Sequence, residues 1–185
     1  MITVTAPEGT SVFASAAARF ESLIMTATLA QMEAASTWYL EAQEVAEDVA
    51  EILGVSLEHG ASIVSAFSPR ERWASNVAKA YAFANGKPVS GLSNNLRMAE
   101  AAVSQGFSAL KGLKTNAFAR AIAGDTDAVV IDVWMMRAAG MDTDSPNKTQ
   151  YRLLSEAITS VASQFGITPR TAQALIWIIV RGSAA

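Results

Sequence analysis

Apolar residues recur three and four positions apart along most of this chain, the spacing that lines one face of a helix. From Ser11 to Leu29 an alanine-rich stretch carries Phe13, Phe20, Leu23, Ile24 and Leu29 in that register and predicts a first helix. A second is predicted from Ser36 to Leu53, with Trp38, Val45, Val49 and Ile52 facing inward. Glu41, Glu44, Glu47, Asp48 and Glu51 fall on its other side, where an acidic run reads as a solvated face, and Gly54 stops it. Leu57 to Phe67 predicts a short buried helix. Ser68-Pro69-Arg70-Glu71 then combines a serine cap, a first-turn proline and a glutamate three residues on. It predicts a helix through Trp73, Val77 and Tyr81 that ends at Asn85-Gly86.

Further on, a helix is expected over Asn94 to Ser108, a tight turn at Lys111-Gly112-Leu113, and a helix over Lys114 to Ala123. Val129-Val130-Ile131 has strand propensity but no partner run, so it reads as the buried approach to a helix capped by Asp132 and closed by Gly140. Met141 to Ser145 reads as a polar loop. Two last helices follow, from Pro146 to Phe165 and from Thr168-Pro169 to Val180. No repeat or low-complexity linker interrupts them. The expected fold is all-α, a single compact multi-helix domain over residues 1–185.

Composition narrows the chemistry. A hydrophobic fraction of 51% fits a folded, core-rich chain. No apolar run has the ~20 residues of a membrane span. No basic segment followed by an apolar core opens the chain, so no secretory leader is expected. A soluble monomer in the cytoplasm, the host's if phage-encoded, is the resulting expectation. The absence of cysteine removes disulfides, thiol nucleophiles, iron–sulfur clusters and thiolate zinc sites. With His59 the one histidine, a histidine metal site or catalytic triad is not expected, and no cofactor or metal is implied. The net charge of −3 is unevenly spread. Residues 1–60 hold nine acids against Arg19 alone, whereas residues 61–185 hold thirteen bases against eight acids. A basic remainder fits a one-sided surface for a polyanion.

The candidate chemistry lies within residues 94–140. Lys114 follows Gly112 at a helix start, and Asp132 opens the next helix eighteen residues later. A helix N-terminus leaves amides free for a phosphate, and its dipole disfavours the protonated form of a first-turn lysine, as an amine nucleophile requires. The turn, Lys114 with Thr115 after it, and the segment Asp132-Val133-Trp134-Met135-Met136-Arg137 resemble the helix-hairpin-helix DNA glycosylases. That superfamily, HhH-GPD, includes the endonuclease III type and the archaeal 8-oxoguanine glycosylases. Val64-Ser65-Ala66-Phe67-Ser68-Pro69 is similar to the apolar helix and serine turn of that family, so the likeness covers about residues 60–140.

The resemblance implies a helix-hairpin-helix element and an enzyme that excises a modified base from double-stranded DNA. In the family the lysine attacks the anomeric carbon of the sugar and forms a Schiff base, after which bifunctional members cleave the strand. The aspartate activates the nucleophile and offsets the oxocarbenium-like charge. These roles fall on Lys114 and Asp132. DNA backbone contacts would fall on Lys111, Gly112, Leu113 and Thr115; Arg70 and Arg72 read equally as phosphate contacts or as salt-bridge partners of their neighbours. Leu110 stands where the family hairpin carries its first glycine. Segments Ser68–Trp73 and Gln173–Trp177 also look like small phage proteins.

Extruded bases stack between aromatic and apolar groups, which makes Trp73 and Trp134 candidate pocket walls, with Gln173 as a base-edge partner. Trp38, Trp73 and Trp177 occupy apolar positions and read first as core. His59 reads as a surface or capping residue, Asp142 and Asp144 as a weak ion site, and Gly86-Lys87-Pro88 lacks the spacing of a phosphate loop. Two other functions suit the same scaffold: a transferase that elaborates hypermodified bases in phage DNA, and a non-catalytic helical module that binds DNA or protein.

Overall fold

The computed structural model describes residues 8–182, and the stretch read above for a leader begins outside them. The described residues form nine α-helices and one 3₁₀ turn, with no strand. None of these helices alone is long and apolar enough to cross a membrane. They pack into two compact units, one drawn from residues up to Ser36 together with those from Val129 onward, the other from Thr37–Ala128.

The first unit contains α1 (Glu8–Met25), α7 (Val133–Ala138), α8 (Lys148–Gln164) and α9 (Pro169–Arg181). Helix α1 packs chiefly on α8, and α9 packs on α7 and α8. Its core is Phe20 and Ile24 from α1, Met135 and Met136 from α7, Leu154 and Ile158 from α8, and Ile176 from α9. Local chemistry sets the helix starts. Asn147 and Gln150 form a reciprocal capping box on α8, and Thr168 caps α9 with Pro169 in its first turn. Val129, Val130 and Ile131 are buried without regular structure, as expected of the approach to α7.

In the second unit α3 (Leu57–Ala66) is central, packed against α5 (Ser93–Gln105), the 3₁₀ turn Gly106–Ala109 and α6 (Leu113–Ile122). All of Gly60–Ala66 is buried. Helix α2 (Leu29–Leu53) passes so close to Gly60 that a β-carbon there would collide with the Ala46 carbonyl oxygen and Ala50. The acidic face of α2 is exposed, as predicted. Helix α4 (Trp73–Ala84) ends in the Asn85-Gly86 turn.

Some boundaries differ from the sequence expectation. Helix α1 stops at Met25, and α2 starts at Leu29 instead of Ser36, because Thr28 and Gln31 bond each other's side chains and backbone amides at its start. Ser68 is not a helix cap. Its hydroxyl turns back to the Ser65 carbonyl at 2.8 Å, Arg70 adopts a positive φ of 65°, and α4 starts five residues later, at Trp73. The helix expected to reach Ser108 tightens into the 3₁₀ turn after Gln105. Ile52, expected inside, is 46% exposed.

Candidate functional site

Lys114 and the turn before it belong to the second unit. The turn, Leu110-Lys111-Gly112, is held by Asn116 of α6, whose Nδ2 donates to the carbonyls of Phe107 at 3.0 Å and Leu110 at 3.3 Å. Arg120 Nε donates to Asn116 Oδ1 at 3.0 Å, and its guanidinium lies 4.9 Å from the Phe107 ring centre. The base of the turn is fixed from α3 by the buried Ser65 hydroxyl, which donates to the Thr115 carbonyl at 2.7 Å. Thr115 is buried and its hydroxyl donates to Gly112 O, so its side chain serves the turn and not the surface. Gly112 is the N-cap of α6 and carries no side-chain cap, and a β-carbon there would come within 3.0 Å of Thr115 Oγ1. Lys111, Gly112 and Leu113 are exposed and Lys114 is half-buried. Lys114 makes no ion pair among the described residues. Leu110 is buried, and its amide is taken by Phe107 O at 3.1 Å.

One helical turn beyond Lys114, on the same face, stands Phe118. It meets Trp38 of α2 and Trp73 of α4 at centroid distances of 6.2 and 6.4 Å, and the two indoles lie 4.9 Å apart. Tyr39 completes this aromatic nest. Trp38, Trp73 and Phe118 are half-buried, so the two tryptophans expected in the core are at its margin. Arg70 and Arg72 are exposed and make no ion pair among the described residues. In the turn below them Glu71 pairs with Lys79 and accepts from Ser75, which holds its carboxyl below the usual carboxylate range.

Asp132 belongs to the first unit. Asp132 caps α7 as predicted: Oδ1 accepts from the amides of Trp134 at 2.9 Å and Met135 at 3.0 Å. Its other oxygen, Oδ2, accepts from the indole Nε1 of Trp177 on α9 at 3.0 Å. The half-buried carboxylate is thus held at both oxygens by neutral donors, and no cation pairs with it among the described residues. Tyr151 of α8 secures the strand-like approach. Its hydroxyl donates to Val129 O at 2.8 Å and accepts from Ile131 N at 3.3 Å. Burial, aided by the Asp132 charge against the Ile131 amide, pushes this phenol up to about 12.

A model of the group described as Family of unknown function (DUF7178) matches residues 5–184. The chain belongs to DUF7178. No curated protein and no solved structure matches it. The DUF7178 match spans both units, and with them Lys114 and Asp132.

Several site features of this DUF7178 chain were not apparent in its sequence. Trp177, expected as core, is half-buried and serves as the donor to Asp132. Trp134, a candidate pocket wall, carries the Arg137 guanidinium 4.7 Å from its ring centre, and Trp177 carries Arg181 at 4.6 Å. Gln173 is buried in α9. His59 is a local partner, with Nδ1 2.7 Å from the Ser56 hydroxyl at the start of α3. Among the described residues no three His, Asp or Glu side chains converge on a metal position.

Proposed function

We propose that this DUF7178 chain is a DNA glycosylase-like enzyme of the helix-hairpin-helix type, excising a modified base from double-stranded DNA. In this reading the neutral amine of Lys114 forms a bond to C1′ as the glycosidic C1′–N bond breaks. The base departs with the bonding pair and takes up a proton. Loss of the amine proton and opening of the sugar ring leave a Schiff base on Lys114. β-Elimination from it would break the C3′–O3′ bond, which gives the lyase variant.

The observation that carries the reading is the state of Asp132. Positive charge develops at C1′ as the base leaves, and a fixed negative charge that no cation neutralises stabilises that transition state. Asp132 has this character: three neutral donors fix its position, and no arginine or lysine among the described residues pairs with it. The α6 start adds support, since Lys114 stands in its first turn behind a side-chain-free cap at Gly112. The hairpin turn from the 3₁₀ segment to α6, pinned by Asn116, is the part proposed to meet the DNA backbone.

Base release from duplexes carrying a panel of lesions tests this. Asp132→Asn, which keeps the cap but removes the charge, is expected to slow release by about 100- to 1,000-fold. Unchanged release would remove Asp132 from the chemistry. Nucleoside composition after the reaction separates excision from base enlargement by a transferase.

Leu110 favours a second reading, a helical DNA-binding module without catalysis. Its amide is used inside the turn, which leaves the hairpin one donor fewer for phosphate. Such a module binds duplex in a salt-dependent way with no lesion preference, and Asp132→Asn leaves its affinity unchanged.

A further inference from the structure

Arg120, Arg137 and Arg181 stack on aromatic rings, and they differ in what their N–H edges do. Arg120 lies over Phe107 but donates its Nε to Asn116, so it works inside its own turn. Arg137 and Arg181 lie over Trp134 and Trp177 at 4.7 and 4.6 Å and have no hydrogen-bond or ion-pair partner among the described residues. Arg152, by contrast, is paired with Glu156 at 2.7 Å. The carboxylate tied to both indole-bearing segments is Asp132, and its oxygens are already taken by Trp134 N, Met135 N and Trp177 Nε1.

The two arginines stand on neighbouring helices. Both residues lie in the last turns of helices that pack on each other, α7 and α9. Trp134 and Trp177 are joined through the two oxygens of one carboxylate. Cation–π stacking orients a guanidinium plane and leaves its fork of donors facing outward, which is the geometry that matches phosphate oxygens. A cation in a last helical turn is also favoured by the helix dipole, and that alone would account for each arginine singly. It does not account for both being stacked and both lacking a hydrogen-bond or ion-pair partner among the described residues.

We propose that Arg137 and Arg181 form a two-point clamp for the phosphodiester backbone of duplex DNA. The clamp rests on the DNA-binding part of the reading above and not on its chemistry. It places backbone contacts on the unit that carries Asp132, in addition to those expected at the hairpin. Contacts of this kind fix register on the duplex and carry no sequence preference.

The test is binding of the full chain to an undamaged duplex, followed by fluorescence anisotropy across a salt series. Each phosphate contact contributes about −0.9 to the slope of log K against log salt. Arg137→Gln with Arg181→Gln is expected to reduce the magnitude of that slope by about 1.8. Arg137→Lys with Arg181→Lys keeps the charge and is expected to retain the slope, with weaker binding from the lost fork. Arg152→Gln, which removes an arginine already paired with Glu156, is expected to change neither. A double glutamine variant that keeps the wild-type slope and the native melting temperature overturns the clamp. If it unfolds, an unchanged affinity in the double lysine variant overturns it instead. A reduced slope without any Lys114 adduct would keep the clamp and reject the glycosylase. An adduct with an unchanged slope would do the reverse.

Discussion

Trp177 donates its indole N–H to Asp132 Oδ2 at 3.0 Å, across 45 residues of sequence. The contact joins α9 to the start of α7 and leaves the capping oxygen, Oδ1, free to serve two backbone amides. A carboxylate at a helix start usually does one of these things. Here it does both, and its orientation is set from two directions.

Removing the indole donor therefore costs stability as well as orientation. Trp177→Phe is expected to lower the unfolding free energy by about 1–3 kcal/mol, the cost of leaving a partly buried carboxylate oxygen without its partner. Urea unfolding of Trp177→Phe, Asp132→Ala and the double variant measures it. A coupling energy near zero in that cycle would show that the two residues do not interact in solution.

The Asp132 cap was legible in the sequence and its indole partner was not. A cap is a local event, decided by residues two and three positions on, and so are Gly112 before α6 and Thr168-Pro169 before α9. The Trp177 contact depends on how α9 packs on α7, which no spacing along the chain encodes. Ser68 shows the opposite failure. Its cap signature is complete, yet its hydroxyl is drawn back to Ser65 O and the chain turns through Arg70 before α4 begins. The nest of Trp38, Trp73 and Phe118 was half legible. Helical spacing placed the two tryptophans on apolar faces, but which faces end at the margin of the core is set by tertiary packing.

Tyr151 ties stability to alkaline pH. Its phenol is raised from 10.0 to about 12 by burial first and then by the charge on Asp132, with the Ile131 amide acting in the other direction. A raised folded-state value means that its stabilisation is complete below the unfolded value and is lost as pH rises from about 10 through about 12. Melting temperatures across that window should fall for the wild type and fall less for Tyr151→Phe. A parallel decline in both would assign the alkaline loss to other groups. Tyr81, held up to about 12 chiefly by its bond to Asp48, should also titrate late in absorbance at alkaline pH.

The turn before α6 depends on a glycine at Gly106. That residue has φ +53°, and a β-carbon there would strike the Glu58 carboxylate, which accepts from the Phe107 amide at 3.1 Å. Gly106→Ala is expected to cost about 2–3 kcal/mol from backbone strain and the displaced carboxylate. Gly112→Ala, at an ordinary φ of −76° and with a single contact at 3.0 Å, is expected to cost under about 1 kcal/mol. Chemical denaturation of the two variants side by side checks the order. Equal losses would contradict the geometry of the turn.

Asn116 holds the same turn through its side chain. Asn116→Ala removes the bonds to Phe107 O and Leu110 O and releases Arg120. The expected result is a loss of about 1–3 kcal/mol and weaker duplex binding at low salt, with the turn no longer held against α6. Full retention of duplex affinity would place the proposed DNA contact away from this turn.

Covalent trapping tests the assignment of Lys114 most directly. The wild-type chain is incubated with lesion-bearing duplex and borohydride, and any adduct is mapped by proteolysis and mass spectrometry. A reduced adduct is expected on the peptide containing Lys114, absent in Lys114→Gln. Base release that continues unchanged in Lys114→Gln, or an adduct on another lysine, would contradict the assignment.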